Sequence, residues 1–231
     1  MEQQQLVKTA RITGAWYLVL AISGVAGFMI YHPRVYLLSD PQKTLGNLVN
    51  SGTEARLRLV FELLIIVSQA LAAVWFYRLF ARINKRAATV LCTWGTVNAM
   101  LIMISAISMS SAINISGTAS LSFQEKVPLI AVLTNIISNT WSIGGLFFGL
   151  WLIPMGYIVI RSKRMPVWLG RILLIGGAGY LLQTFMKAIG VQASWSDLLV
   201  MPATAAEFWM IGYLLIFGIR PDPATPHQQP D

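Results

Sequence analysis

ARLRLVFELLIIVSQALAAVWF, residues 55–76, is apolar from Leu59 onward except at Glu62, Ser68 and Gln69. About 20 such residues in a helix cross the roughly 30 Å hydrocarbon core of a bilayer. A charged side chain within that core costs about 2.5–3.5 kcal/mol on insertion scales, so Glu62 needs a partner or a task. The rest of the chain has the same character. Of its 231 residues, 56% are hydrophobic and 11% charged, with a mean hydropathy of +0.64. An ordinary soluble domain is about 25% charged, and a water-soluble fold of this size cannot hide so much apolar surface.

Working outward from that run, apolar stretches at about residues 12–31, 57–77, 88–110, 141–160, 168–188 and 199–219 predict six spans. The expected fold class is all-α, a polytopic transmembrane helical bundle. Residues 1–11 form a cytoplasmic N-terminal segment, 12–219 a single transmembrane domain, and 220–231, RPDPATPHQQPD, a disordered Pro-rich cytoplasmic tail. The first run is too long for the apolar region of a signal peptide and reads as a retained span. Residues 32–55 read as a polar loop containing His32-Pro33 and Asp40-Pro41.

The stretch Ser122–Arg161 exceeds one ordinary span. Its first part, 126–139, opens with a capping-box pattern, Ser122 to Glu125, and with Pro128, which suits a first helical turn. An extra short helix is expected there, on the outer face or re-entrant. The alternative is the protruding start of a long fourth helix.

The formal net charge is +8. The basic residues sit between apolar runs, so membrane topology and anionic lipid headgroups account for them better than nucleic acid does. With six spans and the N-terminus inside, eleven of the seventeen Lys and Arg fall on the cytoplasmic side, which favours cytoplasmic N- and C-termini. Cys92 is the only cysteine, so no intrachain disulfide forms. His32 and His227 stand apart and do not suggest a metal site. No cofactor motif is present: Gly176, Gly177 and Gly179 lie in an apolar span and follow no strand, unlike a phosphate loop. Gly145 and Gly149 have the GxxxG spacing, read here as helix packing within the bundle rather than a dimer code. Oligomeric state is not legible.

Four blocks carry a resemblance. They are ARITGAWYLVLAISGVAGF after the basic start, ARLRLVFELL opening the second span, GGLFFGLWLIPMGYIVIRSKRMPVWLGRILLIGGAGYLL across the fourth and fifth, and PATAAEFWMIGYLLIFG in the last. In order and spacing the chain resembles, over about residues 8–219, the bacterial integral-membrane family called domain of unknown function 4386. The resemblance implies a multi-pass protein of the bacterial cytoplasmic membrane and implies no activity. Members often carry His where this chain has Trp151.

Two carboxylates lie inside spans. By residue count, Glu62 in the second and Glu207 in the sixth sit roughly 8 and 12 Å below the outer boundary. Arg58, Glu62 and Gln69 share one helix face. Gln183 and Lys187 in the fifth span, Asn98 in the third, and Asn139 and Ser142 opening the fourth gather at a similar level. Trp209, two residues after Glu207, is a further candidate for lining a cavity. Three readings stand side by side. In the first, the acids are structural ion pairs, Glu62 with Arg58 and Glu207 with Lys187. In the second, a polar pocket in the outer half binds a small lipophilic or lipid-like molecule. In the third, Glu62 and Glu207 are catalytic acid and base toward an isoprenoid-like substrate. The expected partners are membrane lipids and that lipophilic ligand.

Overall fold

Asn84, between the second and third long helices, accepts from the Ala87 amide at 3.0 Å and so starts the third. Signals of this kind divide the described residues into seven helices. They are α1 (Gln3–Val35), α2 (Pro41–Asn50), α3 (Gly52–Phe80), α4 (Lys85–Gly117), α5 (Phe123–Ser162), α6 (Val167–Ala188) and α7 (Met201–Ile216). A 3-10 turn, Ser196–Val200, leads into α7. The structure is a computed structural model describing residues 3–191 and 193–221, and no strand occurs among them. All helices but α2 belong to segments long and apolar enough to cross a membrane, six in all. The protein is a multi-pass membrane protein. The part of the expected Pro-rich tail from residue 222 onward lies outside the described residues.

Two features differ from expectation. Residues 126–139 are not a separate short helix. They are the opening turns of α5, which runs 40 residues without a break and passes through Pro154. The capping box does form: Ser122 N–H donates to Glu125 Oε2 at 2.8 Å, and the Glu125 amide to Ser122 Oγ at 3.4 Å. With Pro128 near the start, nothing further along stops the helix before Lys163, a residue with positive φ. At 1.5 Å per residue such a helix is about 60 Å long, twice the hydrocarbon core of a bilayer. The second difference is α2, which falls in the stretch read as a polar loop. Asp40 caps it, accepting from the Lys43 amide at 2.9 Å, and Pro41 occupies its first turn. Its Thr44, Leu45 and Leu48 are buried.

The chain forms two compact units. One comprises Leu71–Thr96 with the described residues through Tyr17 and from Gly145 onward; the other comprises Leu18–Ala70 and Val97–Gly144. In the first unit, helices meet where side chains are missing. A Cβ at Gly149 would lie 2.7 Å from the Gly177 carbonyl oxygen, and one at Gly156 would lie 2.6 Å from that of Gly170. The Gly145–Gly149 spacing therefore serves packing within the chain, as expected. Gly176 faces the Ala203 backbone, and Gly179 the Leu199 carbonyl. In the second unit, α2 is held to the core by Leu45 and Leu48, which pack with Val35, Tyr36, Met109, Ala112, Ile130 and Ile137.

Candidate intramembrane site

Glu62 and Arg58 lie one turn apart on α3 and are both fully buried. Arg58 Nη1 donates to Glu62 Oε2 at 2.8 Å, the pairing their spacing predicts. The other carboxylate oxygen, Oε1, accepts from Trp141 Nε1 at 2.9 Å; that N–H also reaches Ser105 Oγ at 3.3 Å. The Phe28 ring lies 4.6 Å from the Arg58 guanidinium carbon and packs edge-on against Trp141 at 4.2 Å. Arg58 Nε donates to His32 Nδ1 at 3.4 Å. A charge pair out of water holds only when its remaining hydrogen-bonding positions are filled. Both oxygens of Glu62 are filled.

The second unit also buries polar atoms that have no hydrogen-bond partner among the described residues. They are Arg58 Nη2, the Tyr36 hydroxyl, both side-chain polar atoms of Gln69 and of Asn98, and Thr134 Oγ1. Arg58, Gln69 and Asn98 are each at most 1% exposed. Gly144 packs beside Asn98, where a Cβ would make an ordinary 3.7 Å contact with Asn98 Oδ1.

Glu207 belongs to the first unit, and its setting is different. Tyr17, 2% exposed, donates its hydroxyl to Glu207 Oε1 at 2.6 Å. Tyr17 packs edge-on against Phe76 at 5.4 Å, and Trp151 closes the group at 5.6 Å from Phe76 and 5.8 Å from Tyr17. Gly95 makes room for the Trp151 ring, with which a Cβ would collide. The expected Lys187–Glu207 pair does not form. Lys187 instead approaches Asp197 at 3.9 Å on the surface, because the connection after α6 brings Asp197 back over the helix end. Gln183 donates to Asp197 and to the Ser196 carbonyl, at 2.9 and 3.2 Å. Among the described residues no cation lies within ion-pair distance of Glu207.

The expected site residues are thus sorted. Arg58, Glu62, Gln69, Asn98 and half-buried Ser142 belong to the second unit, and Glu207, Gln183, Lys187 and Trp209 to the first. Asn139, Lys187 and Trp209 are exposed. Asn139 stands two residues from Trp141, about 200° around the helix, so the turn that delivers Trp141 to Glu62 carries Asn139 away. Residue spacing missed Trp141, Ser105, Phe28, Tyr36 and Tyr17, and it set His32 aside as unaccompanied. The available signals were weak: Trp141 flanked by Asn139 and Ser142, and Ala10, Thr13 and Tyr17 at helical spacing in α1.

The family described as Domain of unknown function (DUF4386) matches residues 12–218. An uncharacterized protein of Archaeoglobus fulgidus is 28% identical over 69 residues, covering 30% of this chain and 43% of the archaeal one. The chain thus matches less than half the length of that relative. No solved structure matches.

Proposed function

We propose, for a chain that belongs to the DUF4386 family and crosses the membrane several times, that the polar interior of its second unit binds a small lipophilic or lipid-like molecule. The observation that carries this reading is the set of buried, unpartnered polar atoms on Gln69, Asn98, Arg58 and Tyr36. Each such atom costs about 1–3 kcal/mol when left unmatched, and an apolar helix bundle loses nothing by carrying Leu instead. Two carboxamides offer both donors and acceptors, and the surrounding rings suit an apolar body. Native mass spectrometry of the protein in mild detergent, with lipid extraction, tests it. A discrete small molecule should accompany the wild type and fall at least about tenfold in Gln69→Leu and Asn98→Leu. Both variants should melt at or above the wild-type temperature. An empty wild type would end the reading.

A second reading rests on Glu207. A carboxyl group with no cation, held by a buried phenol, can pass a proton to a lipophilic substrate. Glu62 suits that role less well, with Arg58 and Trp141 occupying its oxygens. Turnover of an isoprenoid-like substrate should then vanish in Glu207→Gln and survive in Gln69→Leu.

We also place the chain in the bacterial cytoplasmic membrane with both termini inside, supported by the distribution of Lys and Arg. In a Cys92→Ser background, Lys43→Cys should react with an impermeant maleimide on intact cells and Lys163→Cys should not. The reverse pattern would invert the topology.

A further inference from the structure

We infer, building on the lipophile-binding reading, that Arg58, Tyr36 and His32 seat an uncharged carbonyl oxygen at the polar end of the ligand. The first observation is backbone geometry. Residues Ala26–Tyr31 of α1 form a π-helical stretch, a rare geometry that recurs at functional sites. It lies where α1 meets Arg58. Phe28, inside it, covers the guanidinium, and His32, just after it, accepts from Nε. Gly27 leaves the guanidinium its place, since a Cβ there would lie 3.2 Å from Arg58 Nη1 and 3.3 Å from Phe61 Cβ.

The second observation is what these groups have left to give. Arg58 only donates, and its Nη2 has no partner among the described residues. His32 accepts at Nδ1, so the neutral ring carries its proton on Nε2 and donates there. The Tyr36 ring lies 5.4 Å from that of His32, and its buried hydroxyl is also unpartnered. Arg58 Nη2 can only donate, and the Tyr36 hydroxyl can donate beside it, so the two unpartnered groups together call for an acceptor.

Charge decides which acceptor. Glu62 already balances Arg58 at 2.8 Å. A carboxylate or phosphate would add an unmatched charge in a low-dielectric interior, whereas a ketone, ester or quinone carbonyl would not. The nearby rings of Phe28 and Trp141, and the stacked pair Tyr31 and Phe61 at 5.4 Å, suit a flat apolar body.

The test uses the full chain in detergent and an alkyl-1,4-benzoquinone labelled with 13C at its carbonyls, read by infrared difference spectroscopy and by binding titration. Dodecanoate and dodecanol are the comparison probes. The expected result is a bound carbonyl band moved to lower frequency, and binding about tenfold weaker in Tyr36→Phe, the value of one hydrogen bond. His32→Phe should weaken binding similarly, with melting unchanged in Tyr36→Phe. Binding with an unshifted band, or equal affinity in Tyr36→Phe, overturns the carbonyl assignment and leaves the lipophile reading standing. Tighter binding of dodecanoate than of the quinone also overturns it, in favour of an anion. If no probe binds and no lipophile accompanies the purified protein, both fall, and the donors hold water only.

Discussion

Replacing Glu62 with alanine is expected to destabilise the protein by about 3–5 kcal/mol, the usual cost of breaking a buried pair from one side. Arg58 and Glu62 are both 0% exposed, so the variant leaves a guanidinium with no counter-ion and no route to water. Trp141 keeps Ser105 as a partner, so most of the loss is electrostatic. Glu62→Gln, which retains an oxygen for Trp141 Nε1, should lose less than Glu62→Ala. The double variant Arg58→Leu, Glu62→Leu should recover most of the stability, because matched apolar residues avoid the desolvation cost altogether. Thermal unfolding in mild detergent checks the series. If Glu62→Ala melts within a degree or two of the wild type, the pair is not sealed from water.

The second large effect is expected at Gly176 and Gly179. In Gly179→Val the new side chain meets the Leu199 carbonyl, and in Gly176→Val it meets the Ala203 backbone. Backbone cannot rotate aside as a side chain can, so the cost should exceed the roughly 1–3 kcal/mol of ordinary overpacking. In a membrane, close helix approach through small residues supplies much of the association energy, so separating α6 from the Ser196–Ile216 segment removes that contact as well. Little folded protein should survive extraction. Gly212 is the control: a Cβ there meets nothing within 4 Å, and Gly212→Ala should be neutral or gain up to about 1 kcal/mol. Equal yields of Gly179→Val and Gly212→Ala would refute the close contact.

Some of this was legible in the residues. Gly145-x-x-x-Gly149 indicated close packing, and Ser122 and Glu125 marked the start of α5. The four-residue spacing of Arg58 and Glu62 foretold their bond. The helix α2 could have been read from Asp40-Pro41 followed by Leu45 and Leu48, a cap and an apolar stripe; the polar residues around it hid the pattern. The length of α5 was harder to read, because capping residues announce a start while only the absence of a stop announces continuation.

Hydropathy alone determined the class of this protein, since a backbone in hydrocarbon must satisfy its own hydrogen bonds and long apolar runs must therefore be helices. It also exposed Glu62 and Glu207 as costly residues. The tertiary structure alone decided their partners. A residue facing lipid is as apolar as one facing another helix, so no periodicity says which side of α1 meets Arg58 or which side of α5 carries Trp141. Tyr17 and Glu207 are 190 positions apart, and Lys187, the charge expected to pair with Glu207, is drawn instead to Asp197. Those choices follow from where glycines let backbones touch and where the π-helical stretch sets Phe28 against Arg58, and both exist only once the helices are packed.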